Sequence, residues 1–206
     1  MDAPLQTDYY PNGQAKETYR LQDGKLEGEV LHYSPSGQLL QRADFQKGVL
    51  HGKVTLFDEE GAVTQVSTFK DGLQEGETLI SSGGTLRAAL HYAAGKQNGE
   101  SLIYDDAGLL SQKSKYKDGA LHGETLYYDA AGRVLRKATY QKGVLSGPTT
   151  EYYLSGKAHT VYSYKVNKLH GEVLTYTEDG KLKDRVCFKD GKPVPCPPLL
   201  RIPGSK

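Results

Sequence analysis

The sequence lacks any long apolar run. No stretch approaches the roughly 18 apolar residues that a membrane-spanning helix needs, so the sequence excludes such a helix. Apolar residues are also scarce overall: 37% of the 206 residues are hydrophobic and the mean hydropathy is −0.59. Both values are low for a chain that buries a deep core, and they favour a thin, extended fold.

Excess charge of either sign is also missing. The formal net charge is +1 and the pI is about 7.7, which predicts no nucleic-acid partner because phosphate binding needs clustered Lys and Arg. The sequence contains no G-x-S-x-G, P-loop, Cys–His pair or zinc-ligand spacing. We therefore predict no catalytic residue, no metal, no cofactor and no small-molecule substrate, and we do not expect an enzyme.

The first residues, M-D-A-P-L-Q-T-D, lack the basic and apolar regions of a signal peptide. This start fits either a cytoplasmic protein or a mature chain whose signal was replaced by Met1. The two cysteines, Cys187 and Cys196, favour the second interpretation because they flank F-K-D-G-K-P-V-P, a predicted hairpin turn. Two cysteines that close one hairpin predict a disulfide and an oxidising compartment, and the alternative is a pair of free thiols.

Glycine, in contrast, is abundant and evenly spaced. The first series runs Gly24, Gly48, Gly72, Gly95, Gly119, Gly143 and Gly191, with Asn167 in the remaining place. The second runs Gly28, Gly52, Gly76, Gly99, Gly123, Gly147 and Gly171, and the third Gly13, Gly37, Gly61, Gly84, Gly108, Gly132, Gly156 and Gly180. A step of 24 residues, once 23, predicts stacked supersecondary units rather than one compact core.

Each repeat contains two short runs of alternating polarity between glycine turns, such as K-V-T-L-F and A-V-T-Q-V-S-T-F. This pattern predicts consecutive antiparallel strands. The predicted fold is all-β: an elongated single antiparallel sheet, twisted or curved, that meanders through about eight hairpin repeats and about fourteen to seventeen strands. Residues 1–192 form the repeat domain and 193–206 a Pro-rich C-terminal cap. The third repeat is one residue short, in G-E-T-L-I-S-S-G-G, which predicts a local kink or bulge.

Aromatic residues recur in two ladders. The first contains Tyr33, Phe57, Tyr104, Tyr128, Tyr152 and Tyr176, and the second Phe45, Phe69, Tyr92, Tyr116, Tyr140, Tyr164 and Phe188. We expect both on one face, with the small residues Ala43, Ser67, Ser114 and Ala138 leaving room for the rings. Because the ladders recur in every repeat, we interpret them as structural rather than as a ligand platform.

Charged residues are also phased with the repeat. We predict that the glutamates Glu29, Glu77, Glu100, Glu124 and Glu172 pair with Lys70, Lys117, Lys165 and Lys189. The opposite face becomes basic in the second half of the chain. This basic strip consists of Lys113, Lys115, Arg133, Lys137, Lys157, Lys181, Lys183 and Arg185. It is either a solvated face or a docking surface for an acidic protein or anionic lipid.

The patterns Y-x-x-x-G-x-L and K-D-G-x-L-x-G-E resemble the bacterial variant of the MORN repeat, and the resemblance covers residues 9–192. That variant occurs in YwqK-family antitoxins, which implies an immunity or antitoxin protein that occludes a cognate toxin or secreted effector. The alternative is a structural or membrane-associated scaffold that contacts anionic lipid. Departures are Asn167 for Gly, Pro148 for Glu and the cysteine-closed end, and the last of these favours a periplasmic over a cytoplasmic immunity role.

Overall fold

The computed structural model describes residues 3–198, so the part of the predicted cap from 199 to 206 lies outside the described residues. The described chain contains strands and turns without a helix, and its strands form antiparallel hairpin meanders. The predicted all-β meander is therefore confirmed. The chain divides into two compact units, Met1–Ala120 and Leu121–Lys206.

In the first unit each hairpin pairs with the next in chain order. Its strands are β1 (Leu5–Tyr9), β2 (Ala15–Gln22), β3 (Lys25–Leu26), β4 (Gly28–Tyr33), β5 (Leu39–Gln46), β6 (Val49–Phe57), β7 (Val63–Lys70), β8 (Leu73–Gln74), β9 (Gly76–Ser82), β10 (Thr85–Ala93), β11 (Lys96–Tyr104) and β12 (Leu110–Lys117). The two-residue β13 (Ala120–Leu121) stands at the unit boundary. Short segments such as β3 and β8 raise the count in residues 3–198 to 20, above the predicted range.

The second unit continues the same pattern of consecutive antiparallel pairs. Its strands are β14 (Gly123–Tyr128), β15 (Val134–Gln141), β16 (Val144–Tyr152), β17 (Ala158–Lys165), β18 (Lys168–Tyr176), β19 (Leu182–Lys189) and β20 (Lys192–Val194). The last strand contains Pro193, which pairs with Phe188. A proline is tolerated there because β20 pairs on one side only within the described residues.

The first-series turns need two successive residues with positive φ. Asp190 and Gly191 have φ of 51° and 84°, as in the two-residue turns that best match strand twist. Asn167 replaces glycine at φ 63°, a conformation that asparagine tolerates. Val166, at φ 48°, is the exception, because a β-branched residue in this region is strained.

Backbone hydrogen bonds join these turns from one repeat to the next. The N–H of Gly72 donates to the Leu50 carbonyl at 2.9 Å, and Asn167 donates in the same way to Leu145 at 2.9 Å. The bond uses only main-chain atoms, so the change from Gly to Asn preserves it. His170 contacts the same turn: its Nδ1 lies 3.4 Å from the Asp190 backbone nitrogen and 3.2 Å from the Asp190 carboxylate.

A one-residue bulge in the hairpins decides which side chains share a face. Tyr33 pairs with Leu39, whereas Gly28 pairs with Phe45, because one extra residue is inserted in the return strand between them. Gly28 and Tyr33 are five positions apart on one strand and therefore point to opposite faces. Phe45, beside Gly28, accordingly lies opposite Tyr33. The prediction that both aromatic ladders share one face is wrong.

We name the two faces of each unit by their contents. The tyrosine–leucine face carries Leu31 and Tyr33 in the first unit and Leu126, Tyr128 and Tyr152 in the second. The small-residue face carries the second aromatic ladder and a buried central column. Members of that column are Val30, Ala43, Val54, Ser67, Thr78, Ser101 and Ser114 in the first unit, and Thr125, Ala138 and Thr149 in the second.

The short third repeat differs from the expectation. The missing residue shortens a third-series turn to Gly83–Gly84, with φ of 57° and 74°, between β9 and β10. A register shift follows between Leu86 and Ala88, but hairpins of normal length contain the same kind of shift. The deletion is therefore absorbed by a tighter turn and adds no special bulge.

Buried hydroxyls in the first unit accept hydrogen bonds from glutamine side chains. The Gln74 amide donates to the Thr78 hydroxyl at 2.6 Å, and Gln97 donates to Ser101 at 2.7 Å. In the second unit leucine occupies the glutamine position, four residues before Thr125 and Thr149. Within residues 3–198, the hydroxyls of both threonines are buried without a hydrogen-bond partner. Such orphaned groups lower stability.

This difference predicts opposite effects for one substitution at matched positions. Thr149→Val removes an unpaired buried hydroxyl and should raise the free energy of unfolding by about 1 kcal/mol, whereas Thr78→Val leaves the Gln74 amide without its acceptor and should lower it by a similar amount. Urea unfolding of both variants measures the two changes. Equal changes of the same sign would contradict this interpretation.

The predicted disulfide between Cys187 and Cys196 is confirmed, with Cα atoms 5.1 Å apart. It closes the β19–β20 hairpin, where Cys187 is 4% exposed and pairs with Val194. The Arg185 side chain also donates to the Pro197 carbonyl at 2.9 Å. Two links therefore hold the segment that follows β20.

Reduction of this disulfide should destabilise the end of the second unit. Closing so short a loop contributes about 2–3 kcal/mol in a chain-entropy estimate. We expect Cys187→Ser with Cys196→Ser to lower the melting temperature, and the oxidised wild type to show no thiol that reacts with an alkylating agent before reduction. Mass spectrometry that finds two alkylated thiols in non-reduced protein would refute the pairing.

Candidate protein-binding face of the second unit

The two units carry opposite charge. Residues 1–120 contain 12 Lys and Arg against 17 Asp and Glu, a formal charge of −5. Residues 121–206 contain 14 against 8, a formal charge of +6. The near-neutral whole chain therefore conceals a basic second unit, which attracts acidic surfaces at a distance of about a Debye length.

The register places part of the basic strip beside the first aromatic ladder. Lys137 pairs with Leu126, and Arg185 pairs with Leu174. Both cations therefore lie on the tyrosine–leucine face, because directly paired residues point the same way. For these cations the prediction that the strip lies opposite that ladder is wrong, and the one-residue bulge is the reason. Lys113 takes the equivalent place opposite Leu102 in the first unit.

Ion pairs neutralise much of the strip within each hairpin. Lys137 Nζ lies 3.0 Å from Glu124, Lys113 Nζ lies 2.7 Å from Glu100, and Arg185 binds Glu172. In the first unit Arg42 pairs with Glu29 at 2.9 Å. The predicted lysine partners of the glutamates are therefore wrong. Each of these glutamates pairs instead with the cation thirteen positions after it in the chain, because strand twist brings that diagonal neighbour closer.

Two further cations of the strip belong to turns. Arg133 Nη2 lies 2.7 Å from Asp129, and Lys181 Nζ lies 2.7 Å from Asp179. The Arg133 backbone N–H, which donates to Asp129 at 2.9 Å, is the main reason that the pKa of Asp129 lies below its ordinary value. The side-chain bond from Lys181 lowers the pKa of Asp179, and the bond to Glu124 raises the pKa of Lys137.

Three members of the strip keep their charge available. Lys115, Lys157 and Lys183 are exposed and form no ion pair with any residue between 3 and 198. Lys157 and Lys183 belong to the second unit, and Lys157 precedes Ala158, the partner of Tyr152. Lys157 and Lys183 are therefore the cations of the strip in the second unit that form no ion pair among the described residues. A partner-binding role for the strip stays a prediction.

A depression of about 520 Å³ lies on the tyrosine–leucine face of the second unit. Its lining residues are Leu126, Arg133, Val134, Tyr152, Leu154, Ser155 and Gly156. Aliphatic and aromatic residues contribute most of this lining, together with Arg133, whose guanidinium binds Asp129. This composition suits an apolar side chain with a neighbouring carboxylate.

Leu154 makes this depression unusual among the repeats. It lies in the turn between β16 and β17 and is 62% exposed. Equivalent turn positions hold Pro35, Glu59 and Glu178. The same turn is fixed by Tyr153, whose hydroxyl donates to the Tyr176 carbonyl at 2.8 Å. An exposed leucine on a rigid turn is typical of an interface anchor rather than of folding.

The sequence patterns do not mark Leu154, Tyr152 or Val134 as parts of a site. Tyr152 belongs to the first aromatic ladder, which is interpreted as structural, and its place beside Val134 and Leu154 is visible only in the structure, where the three residues line one depression. The available signal was Leu154 itself, a leucine in a turn position that is otherwise polar, small or proline.

Within residues 3–198, no cluster of three or more His, Cys, Asp and Glu side chains has the proximity needed to hold a metal ion. The same residues include no helix long and apolar enough to cross a membrane.

Burial raises the pKa of Tyr162, whose hydroxyl donates to Glu151 at 3.0 Å on the small-residue face. This contact engages the tyrosine within the sheet.

Comparison with solved structures yields distant similarities. One is to a chain in the crystal structure of the GtfA/B complex bound to UDP and GlcNAc, with 20% identity over 68% of this chain and 28% of that chain, at a TM-score of 0.23. Another is to a chain in the crystal structure of TcdB2-TccC3-Cdc42, with 15% identity over 89% of this chain and 14% of that chain, at a TM-score of 0.18. At these TM-scores neither similarity bears on function. The curated proteins contain no match.

The match to a known family is to the MORN repeat variant. It covers residues 26–47, 121–142 and 169–190, and each segment runs from one first-series turn to the next. Most other hairpins share the phase and the turn bonds of these three segments. Three places in the chain are therefore MORN repeat variants, and they indicate a repeat module of a kind suited to binding proteins or lipids.

Proposed function

We propose that this chain is a protein-binding repeat module and that the tyrosine–leucine face of its second unit docks the partner. The observation that carries the proposal is the depression beneath Leu154, which combines an exposed apolar anchor, an aromatic residue and an arginine within one unit. The proposed partner presents an apolar side chain to the depression and carboxylates to the basic unit that carries it.

The arrangement of charge supports an acidic partner. The second unit has an excess of positive charge, and Lys157, the residue after Gly156 of the lining, forms no ion pair among the described residues. Paired cations such as Lys137 contribute less to the attraction of a partner, because separating a lysine from its glutamate costs free energy. Unpaired cations of the unit accelerate association, while the buried apolar contact slows dissociation.

Binding by this face has a mechanical consequence. The floor of the site consists of strands β14, β15 and β16, which are fixed by continuous backbone ladders. A rigid sheet face can cover a partner's functional surface without its own chemistry, because occlusion needs only area and complementarity. We therefore propose a non-enzymatic blocking role.

The finer proposal is that the partner is a toxin or secreted effector and that the chain is its immunity protein. The resemblance of the K-D-G-x-L-x-G-E pattern to YwqK-family antitoxins supports this identity. The Cys187–Cys196 disulfide supports a periplasmic or other oxidising location, because such bonds persist outside the reducing cytoplasm.

The proposal predicts a selective loss of the partner on changing one exposed leucine. Leu154→Ser should leave the melting temperature within a degree or two, because the side chain is largely in solvent, and should weaken partner binding by about tenfold or more. Leu109→Ser is the matched control, since Leu109 is 44% exposed near a turn of the first unit.

The measurement has two stages. Wild type, Leu154→Ser and Leu109→Ser baits are used for quantitative capture from the native organism, and the protein lost only with Leu154→Ser is purified. Its affinity for all three chains, and the inhibition of its activity by each, are then measured. Equal affinities for the two leucine variants would refute the site, and a partner whose activity is unaffected by binding would refute the immunity role.

A further inference from the structure

The first-series turns of the second unit carry an unusual set of lysines. This lysine edge consists of Lys142, Lys165, Lys168, Lys189 and Lys192, all exposed. None of the five forms an ion pair with another residue between 3 and 198. The nearby acidic residue Asp190 interacts instead with His170 at 3.2 Å. The edge is separate from the depression beneath Leu154, which lies among the opposite, third-series turns.

The lysine edge contains like charges placed directly opposite each other. Lys165 pairs with Lys168 across one turn, and Lys189 pairs with Lys192 across the next. Equivalent pairs in other hairpins are mixed: Gln46 with Val49, Lys70 with Leu73 and Gln141 with Val144. Like charges opposite each other destabilise a hairpin. Two such lysine pairs in successive turns lower the stability of the unit. Folding does not explain them, which points to an anionic contact outside the unit.

Val166 adds an apolar feature to the centre of this edge. It is 61% exposed and has a φ of 48°, although the repeat places Asp or Lys at most equivalent positions. A strained, exposed valine within the Lys165–Lys168 pair contributes nothing that the turn requires. The edge is thus basic in all three stacked turns, with an exposed valine in the middle one.

The first unit carries the complementary pattern on its third-series turns. One acidic turn holds Asp58, Glu59 and Glu60, and another holds Asp105 and Asp106. Between them lies the shortened Gly83–Gly84 turn, where an added Cβ would meet nothing within 4 Å. Asp106 forms an ion pair with Arg87 at 2.9 Å, so the turn with Asp58, Glu59 and Glu60 is the more acidic of the two.

The spacings of the two edges agree. The acidic turns are two repeats apart, which is four strands or about 19 Å at the usual strand separation. Lys142 and the Lys189–Lys192 pair are also two repeats apart. The open Gly83–Gly84 turn then faces Val166 and leaves room for it and for the lysines on either side. The spacing of the turns and the opposite net charge of the two edges therefore agree.

We propose that the lysine edge of one copy of this chain docks against the acidic turns of a second copy. The two surfaces differ, so the contact is heterologous and adds copies head to tail unless a ring closes. Electrostatic attraction with a small apolar centre gives a weak, salt-sensitive association. This proposal uses none of the residues assigned to partner binding.

The test uses two charge-reversal variants of the full chain. Variant one, Glu59→Lys with Glu60→Lys, changes the formal charge of the acidic turns from −5 to −1, and variant two, Lys168→Glu with Lys192→Glu, changes that of the five lysine-edge positions from +5 to +1. Each should sediment as a monomer at low salt, where wild type associates with rising concentration. Mixing the variants restores an attractive pair of edges and should restore association.

The matched control is Lys25→Glu with Lys96→Glu, which changes the same turn position and the same charge in the first unit. It should associate like wild type. Variant two should also gain about 1–4 °C in melting temperature, because each new glutamate faces a lysine, whereas the control glutamates face Gln22 and Ala93.

Three results would overturn the proposal: wild type that stays monomeric at low salt up to about ten times the concentration used for the variants, variants that associate as wild type does, or a mixture that remains monomeric. Sedimentation with vesicles of phosphatidylserine and phosphatidylcholine separates a further alternative. Monomeric wild type that binds these vesicles through Lys168 and Lys192 would assign the edge to anionic lipid instead.

Discussion

The fold depends on the hydrogen bond that joins each first-series turn to a backbone carbonyl of the preceding repeat. That bond needs two successive residues with positive φ, which explains the glycine series and the tolerance of Asn167. Because backbone pairing fixes the register, the sheet is built without large buried side chains. Its most fully buried side chains are small, as Thr78, Ser114 and Thr149 show. Large side chains therefore remain at the faces, where a partner can reach them.

Local turn chemistry explains why much of the fold follows from the sequence. The glycine phase predicts the hairpins, and the two cysteines around an Asp-Gly turn predict the disulfide, because both signals involve neighbouring residues. The face that each side chain occupies is harder to predict from the sequence. The residue inserted at each bulge has no common type, as Leu40, Ser111 and Lys183 show, yet it moves every later side chain to the other face. The wrong ladder and strip assignments both arise from that single residue.

The candidate site also depends on this bulge. It places cations of the repeat beside leucine and tyrosine, and diagonal glutamates then neutralise Lys113, Lys137 and Arg185. A count of basic residues therefore overstates the charge that a partner meets. What distinguishes the second unit is a combination of few residues: Leu154 in an exposed turn, Arg133 in the lining of the depression and Lys157 without an ion pair among the described residues. Variation between repeats, rather than the repeat itself, carries specificity.

Methyl NMR of the 22.6 kDa chain with its purified partner tests the central claim most directly. The partner should shift or broaden the methyl signals of Leu126, Val134 and Leu154, which line the depression. Signals of Val54 and Leu79 in the first unit should remain unchanged. Perturbation confined to first-unit methyls, or none in the second unit at saturating partner, would contradict the claim that the tyrosine–leucine face of the second unit is the binding surface.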